Sequence, residues 1–230
     1  MKFSNPFKRL TKFEWSLYLV SCVVCIMAFI FSGMEDLLTL ISSLVGVTAL
    51  IFVAKGMVFG QILCVIFAFF YGVVSLYFKY YGEVITYLFM TMPMAIVAIV
   101  SWVKHPYKDS NVVEVSRLNK KSIIVLCFLS LIVTIIFYFI LKHLGTMQLV
   151  VSTISITTSF VAASLTFLRS PYYALGYAFN DIVLIVLWIL ASIEKFSYLP
   201  MVLCFVMFLA NDLYGFYNWK KMQKNQKVGL

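Results

Sequence analysis

Blocks of apolar residues alternate with short polar breaks along the chain. Each block is about 20 residues long, the length of a helix that crosses a hydrocarbon core roughly 30 Å thick. Each break carries charge, glycine or proline, which are typical of turns. The pattern predicts eight membrane-spanning helices, at 14–32, 37–54, 58–78, 84–103, 122–142, 148–168, 172–193 and 197–219.

The composition supports an all-α polytopic membrane protein. Of the 230 residues, 63% are apolar and 12% are charged, and the mean hydropathy is +1.00. Soluble globular proteins are closer to half apolar and a quarter charged. The excess of apolar residues is therefore what eight buried spans require.

Basic residues are concentrated on one side of the predicted membrane. Eight spans place both termini on one side, and that side holds 15 of the 18 lysine and arginine residues, all except Lys79, Lys142 and Lys195. Because basic loops are retained in the cytoplasm, this predicts cytoplasmic termini in a bacterial-type cytoplasmic membrane. The net charge of +9 arises from these flanks. It favours contact with anionic lipid and does not call for a nucleic-acid partner.

The second to fourth spans resemble the sixth to eighth spans. The matched positions are Lys55 with Arg169, Gly60 with Gly176, and 102–104 with 219–221. Three spans plus one linking span restore the starting orientation, so the two triplets run parallel about a pseudo-two-fold axis along the membrane normal. In proteins built this way the binding site lies between the repeats, near the midplane.

The predicted organisation has four parts. Residues 1–36 form the cytoplasmic N-terminus and the first span, and 37–103 form the first three-helix repeat. Residues 104–147 form a cytoplasmic loop and the linking fifth span. Residues 148–230 form the second three-helix repeat and a basic C-terminal tail.

The seventh span carries polar and aromatic residues at bilayer depth. One helical face, bordered by Asp181, holds Tyr173, Tyr177, Asn180, Leu184 and Trp188 at three- and four-residue steps. An ionisable residue inside a membrane is costly and normally faces a cavity or a partner. Amide and carboxyl groups beside aromatic rings suit a nucleoside-like solute, with its flat heterocycle and hydroxylated sugar. The alternative is that these residues join helices, with Asp181 bracing Asn180.

Other spans hold further candidates for the same site. Asn211, in a second Asn-Asp pair, is deep enough in the eighth span to line a pathway, and Gln61 is a lone amide in the third span. Pro93 removes a backbone hydrogen bond and can form a hinge in the fourth span. The hydroxyl-rich sixth span, with 152–159, either lines a polar path or bonds back to its own helix.

Motifs of soluble chemistry are missing from the sequence. There is no Walker A loop, GxGxxG or HExxH motif, so ATP-driven transport within this chain is not expected. The five cysteines fall within apolar runs, and Cys22-x-x-Cys25 has no second CxxC or histidine pair beside it. They are interpreted as small buried hydrophobic residues. The sequence therefore predicts no metal, no cofactor and no enzyme activity.

Several segments together resemble the Pnu family of vitamin transporters. They are the repeat, the YGE connection at 81–83, Pro93 followed by Trp102, NDxxLIxLW at 180–188 and NDLYGFYNWKK at 211–221. The resemblance implies a SWEET-like 3+1+3 fold in a homotrimer. It also implies facilitated diffusion without ion or ATP coupling, with the substrate trapped by phosphorylation in the cytoplasm.

The family's WxxWxxxN signature aligns on Asn180 with two departures. Tyr173 stands at the first tryptophan and Gly176 at the second, and the glutamine usual in the preceding helix is replaced near 162–163. The resemblance implies nicotinamide riboside as the best single substrate, with deoxyribonucleosides as the main alternative. Further alternatives are thiamine, riboflavin, a binding subunit of an ATP-driven importer, and a membrane enzyme that acts through Asp181 and Asp212.

Overall fold

The computed structural model describes residues 5–33, 37–77, 81–108, 110–146, 148–194 and 198–228. A short 3-10 turn at Pro6–Arg9 precedes the helices. The helices are α1 (Lys12–Phe31), α2 (Leu37–Ala54), α3 (Val58–Tyr77), α4 (Tyr81–Val84), α5 (Met92–Lys104), α6 (Lys120–His143), α7 (Leu149–Phe167), α8 (Tyr173–Glu194) and α9 (Leu199–Val228), with a π-helical segment, Ile85–Thr91, between α4 and α5.

The predicted all-α membrane fold is confirmed. Within the described ranges, eight helices are long and apolar enough to cross a membrane. The fourth predicted span corresponds to α4, the π-helical segment and α5 together, so α6 to α9 are the fifth to eighth spans. Residues 34–36, 78–80 and 195–197, which include parts of three predicted breaks with Lys79 and Lys195, lie outside the described residues, as does Lys2.

The fourth span changes its helical pitch just before Pro93. The N–H of Met92 bonds to the carbonyl of Tyr87, five residues earlier. In an α-helix this N–H would bond to the carbonyl four residues earlier. Proline has no N–H to offer its own helix, and the wider turn accommodates this loss. Such π-helical turns are frequent at functional sites. The predicted hinge at Pro93 stays a prediction.

The last helix is longer than the sequence pattern indicates. The predicted span ends at residue 219, whereas α9 continues to Val228. Gln226 explains this extension, because its side chain accepts a hydrogen bond from Val115 N at 2.7 Å and donates one to Val113 O at 3.1 Å. The polar end of α9 is therefore fastened to the loop between α5 and α6.

This loop crosses beneath two helical hairpins. Its Val113 N donates to Gly56 O in the α2–α3 turn, and its Ser116 N donates to Arg169 O in the α7–α8 turn, both at 2.9 Å. Gly56 and Arg169 have φ angles of 66° and 55°, which close the two turns in the same left-handed way. One loop thus holds the ends of both predicted triplets.

One tryptophan from each triplet bonds to a helix of the other triplet. Trp102 on α5 donates from Nε1 to Thr166 O at the end of α7, at 3.0 Å, and Trp219 on α9 donates to Val53 O at the end of α2, at 2.9 Å. Their rings are 5.3 Å apart and fully buried. This reciprocal arrangement is consistent with a pseudo-two-fold axis between the triplets. The sequence repeat matches Arg169 with Lys55. By turn geometry, Arg169 instead corresponds to Gly56, one residue later.

The first helix packs outside the two triplets, against α2 and α9. Glu14 is buried and accepts hydrogen bonds from Lys55 Nζ, 2.8 Å from both of its carboxylate oxygens, and from the Tyr214 hydroxyl at 2.6 Å. Farther along α1, Ser21 Oγ accepts a hydrogen bond from Asn211 Nδ2 at 3.0 Å. Polar bonds therefore fix the register of α1 against α9.

Candidate functional site

A cavity lies between the two triplets, as the repeat predicts for a binding site. It is enclosed by α2, α3, the π-helical segment, α5, α7, α8 and α9, and its polar lining residues are Gln61, Thr91, Ser159, Tyr87, Tyr173, Tyr177, Asn180, Asp181 and Asp212. The cavity volume is about 70 Å³. Since a single water needs roughly 10–15 Å³ measured in this way, a nucleoside enters only if the helices move apart.

Five of the seven residues that the sequence proposes for the site reach this cavity. They are Gln61, Tyr173, Tyr177, Asn180 and Asp181. Four of them lie on α8 within 173–181, and Gln61 reaches the same space from α3 in the other triplet. The helical face predicted on the seventh span therefore meets the cavity along the cytoplasmic half of α8, under the predicted orientation.

Trp188 and Asn211 do not line the cavity. Trp188 is buried two turns farther along α8, in the core cluster with Leu184 and Phe205, and its ring centroid lies 5.8 Å from that of Tyr198. Asn211 Nδ2 donates to Ser21 Oγ on α1 and to the Met207 carbonyl, which directs this amide away from the cavity. Both residues lie in helix contacts instead.

Asn180 is held in one orientation by three hydroxyl groups of α7. Its Oδ1 accepts hydrogen bonds from Thr158 at 2.7 Å, Ser159 at 3.0 Å and Ser155 at 3.4 Å. Among the described residues, its Nδ2 has no hydrogen-bond partner, so two N–H donors remain for a ligand. The hydroxyl-rich helix thus serves to position the amide.

Both interpretations of the hydroxyl-rich sixth span hold, each for different residues. Thr153 and Thr157 bond back to carbonyls of their own helix, at 2.7 and 2.9 Å. The Thr158 hydroxyl lies 2.9 Å from the Ile154 carbonyl and 2.7 Å from Asn180 Oδ1, so its single proton is shared between these two acceptors. Ser159 lines the cavity as well as binding Asn180. The face of α7 toward α8 is therefore the one that reaches Asn180 and the cavity.

Two carboxyl groups share one wall of the cavity. Asp181 on α8 and Asp212 on α9 are both buried, and their side chains interact directly. Asp181 Oδ2 has no hydrogen-bond partner within the described ranges. No lysine, arginine or histidine is among the described residues that line the cavity. The wall therefore offers acidic oxygens without a basic partner from the protein.

Aromatic side chains from other helices complete the lining. They are Phe67 on α3, Tyr87 in the π-helical segment, and Phe205 and Phe208 on α9. Phe67 contacts Tyr87 and Phe208 edge-to-face, with ring centroids 5.8 and 5.6 Å apart. The sequence analysis did not single out these four, because apolar helices full of aromatic residues give no sign of which ring faces a cavity.

Gly176 is needed for the close approach of α8 to α7. A Cβ atom at this position would lie 3.0 Å from both Cα and Cβ of Ala162. No larger side chain fits there without separating the two helices. The position that aligns with the second tryptophan of the family signature is therefore a helix contact in this chain.

Comparison with known proteins identifies the family. The family model described as nicotinamide mononucleotide transporter matches residues 36–221. The chain belongs to this family. Its match begins just before α2 and ends within α9, so it includes both triplets, the linking helix α6 and every residue that lines the cavity.

Family relatives include a curated protein and a solved structure. The nicotinamide riboside transporter PnuC of Neisseria mucosa is 28% identical over 220 residues, which are 93% of this chain and 83% of that protein. The crystal structure of the vitamin B3 transporter PnuC is 26% identical, with a TM-score of 0.82 and 94% of each chain covered. The chain is therefore a multi-pass membrane protein of a bacterial transporter family.

Proposed function

We propose that the protein carries nicotinamide riboside across the membrane through the cavity between its triplets. The observation that carries this proposal is the cavity wall formed by Asn180, Asp181 and Asp212, with aromatic rings around it. Nicotinamide riboside has a planar pyridinium ring with a fixed positive charge, a carboxamide and a ribose. The name of the Neisseria mucosa relative gives the same substrate, and the name of the solved structure gives vitamin B3.

The charge of the wall distinguishes among the family's substrates. Two carboxyl groups in direct contact share a proton and carry one negative charge between them, which attracts a cationic ring, and electron-rich aromatic faces do so too. A deoxyribonucleoside is uncharged and gains nothing from this attraction. A mononucleotide adds a phosphate, which proteins bind with arginine, lysine or helix N-termini, and the described lining offers no basic side chain. The wall thus favours the cationic nucleoside over both.

Amide groups on opposite walls orient the substrate. Asn180 Nδ2 donates to the carboxamide oxygen or a ribose hydroxyl, and its own position is fixed by α7. Gln61 faces it from α3, and no hydrogen bond occupies its amide among the described residues. Each amide can donate and accept, so ribose hydroxyls are bonded from both triplets.

Transport is proposed to be passive. The triplets separate on one side, admit the nucleoside, close around it and open on the other side, as in other parallel-repeat carriers. Phosphorylation in the cytoplasm then traps the product, because a charged phosphate does not fit the same cavity. We also propose that both termini are cytoplasmic and that the protein assembles as a homotrimer, for which the apolar, largely exposed helix α6 offers a surface.

A substrate panel in proteoliposomes tests this function. Purified protein should give saturable uptake of nicotinamide riboside that levels off at the outside concentration, with no entry of the mononucleotide. Protein-free liposomes are the control. Uptake of deoxyribonucleosides in preference to nicotinamide riboside would establish the alternative substrate, which the departures at Tyr173 and Gly176 favour. No uptake of either would contradict the proposal, and accumulation above the outside concentration would contradict passive transport.

A further inference from the structure

Two cysteines from distant parts of the chain meet at the contact between α1 and α9. The sulfur atoms of Cys25 and Cys204 are 3.7 Å apart, and both residues are buried. Cys204 also donates to the Ser43 hydroxyl on α2 at 3.2 Å. Three helices therefore converge on this pair, which the transport site does not use.

Three polar contacts lie in sequence along the interface between α1 and α9, and the cysteine pair is the last of them. Glu14 binds Tyr214, and Ser21 binds Asn211. Residues 14, 21 and 25 ascend α1 while 214, 211 and 204 descend α9, as expected for antiparallel neighbours. Packing of the two helices thus holds the sulfur atoms in register rather than leaving their approach to a loop.

A small pocket is lined by both cysteines. It has a volume of about 40 Å³ and is lined by Cys25, Cys204, Ser32, Thr39 and Tyr198, among others. Ser32 follows the last residue of α1 and Tyr198 precedes α9, so the pocket lies at the ends of these helices opposite the termini. Under the proposed orientation this is the outer side of the membrane, where disulfides persist.

We infer that Cys25 and Cys204 form a redox latch, a disulfide that ties α1 to α9 when the outer compartment is oxidising. A low-molecular-weight disulfide is the oxidant. One cysteine thiolate attacks it and releases one small thiol, and the second cysteine then displaces the other small thiol. Two protein thiols become one disulfide, and the oxidant is reduced to two thiols. An S–S bond is about 2.05 Å long, so the sulfur atoms must approach by about 1.7 Å from 3.7 Å.

The latch would act on transport through α9. This helix carries Phe205, Phe208 and Asp212 to the cavity, and Cys204 directly precedes the first of them. A covalent tie to α1, which lies outside both triplets, would restrain α9 when the triplets separate. The inference about uptake rests on the proposed function, whereas formation of the disulfide does not.

The disulfide is tested by thiol counting on the full chain in proteoliposomes. After treatment with 4,4′-dithiodipyridine, the protein is denatured, labelled with a maleimide polymer and digested for mass spectrometry. Among the five cysteines, Cys25 and Cys204 should occur together in one cross-linked peptide, whereas any other cysteine that the oxidant reaches should carry a single thiopyridyl group. Labelling of both residues after oxidation, or a cross-link of Cys25 to Cys22 instead, would overturn the inference.

Uptake tests the regulatory consequence. Oxidised wild-type protein should transport at least about tenfold more slowly, since closure and reopening of helices set the rate of such carriers, and dithiothreitol should restore the rate. Cys25→Ser and Cys204→Ala should be insensitive to the oxidant, and Cys127→Ser, which changes an exposed residue of α6, should respond as wild type does. A cross-linked protein with undiminished uptake would overturn the latch. If reduced wild-type protein carries no nicotinamide riboside, the proposed function fails, and the cross-link is still decided by mass.

Discussion

Asn180 illustrates how a single amide is prepared for a ligand. Three hydroxyl groups hold its Oδ1, so the two N–H donors of Nδ2 are directed before any substrate arrives. Because the orientation is already fixed, binding does not have to immobilise this side chain. The helix that supplies the hydroxyls, α7, therefore contributes to recognition mainly by positioning a residue of α8.

The carboxyl pair should govern selectivity by charge. The double variant Asp181→Asn/Asp212→Asn keeps the shape of the cavity wall and removes its acidic character. We expect it to bind nicotinamide riboside about tenfold more weakly, a loss of about 1.4 kcal/mol, and to bind an uncharged deoxyribonucleoside with unchanged affinity. Competition binding with both ligands on purified protein measures the difference. An equal loss for the two ligands would show that the carboxyl groups act through shape or stability instead.

Two of the departures from the family pattern lie at the same contact between α7 and α8. Gly176, which the resemblance aligns with a tryptophan, packs against Ala162, close to where the resemblance places a glutamine. The small residues on both sides allow α7 and α8 to approach closely. Aromatic lining is supplied from elsewhere by Phe67, Tyr87 and Phe208. The sequence shows the missing tryptophan, but only the packing shows which rings surround the cavity in its place.

At the scale of helices, the two tryptophans make the predicted repeat testable. Trp102→Phe and Trp219→Phe each remove one buried N–H donor to the end of a helix in the other triplet. If the triplets are equivalent, each change should lower stability by a similar amount, about 1 kcal/mol. Thermal unfolding in detergent measures this, and Trp15→Phe on the exposed part of α1 serves as the control. A marked cost for only one of the two would contradict equivalence.

The extension of α9 should keep the loop between α5 and α6 ordered. Gln226→Ala removes both bonds to Val113 and Val115, so we expect faster amide hydrogen exchange across 113–116. The exposed Asn225→Ala is the matched control. Unchanged exchange in the Gln226 variant would mean that the turns at Gly56 and Arg169 hold the loop without it.

The sequence predicts where the helices lie better than it predicts which of their residues reach the cavity. Apolar length located all eight spans, since twenty apolar residues have few other uses. The three- to four-residue stripe on α8 correctly grouped Tyr173, Tyr177 and Asn180, but a stripe does not tell where a cavity ends, and Trp188 lies beyond it. The π-helical segment and the end of α9 depend on Pro93 and Gln226 in contexts that periodicity does not reveal.

At the scale of the whole molecule, the cavity joins unequal halves. The second triplet supplies Asn180 and both aspartates, whereas the first supplies Gln61 and no acidic residue to the described lining. Under the predicted repeat, the proposed site is therefore asymmetric, because only the second triplet supplies carboxyl groups to the described lining. The cavity volume of about 70 Å³ is small for a nucleoside, so we expect the halves to separate when the substrate enters.

The most direct test of this account is the affinity of purified protein for nicotinamide riboside, measured by titration calorimetry with and without Asn180. Asn180→Ala removes the positioned donors and leaves three hydroxyls without their acceptor, so we predict binding at least about tenfold weaker. Asn218→Ala removes an α9 amide that bonds to Ala54 O outside the cavity and should retain wild-type affinity. Equal affinity of wild type and Asn180→Ala would contradict the account, because the substrate would then bind elsewhere.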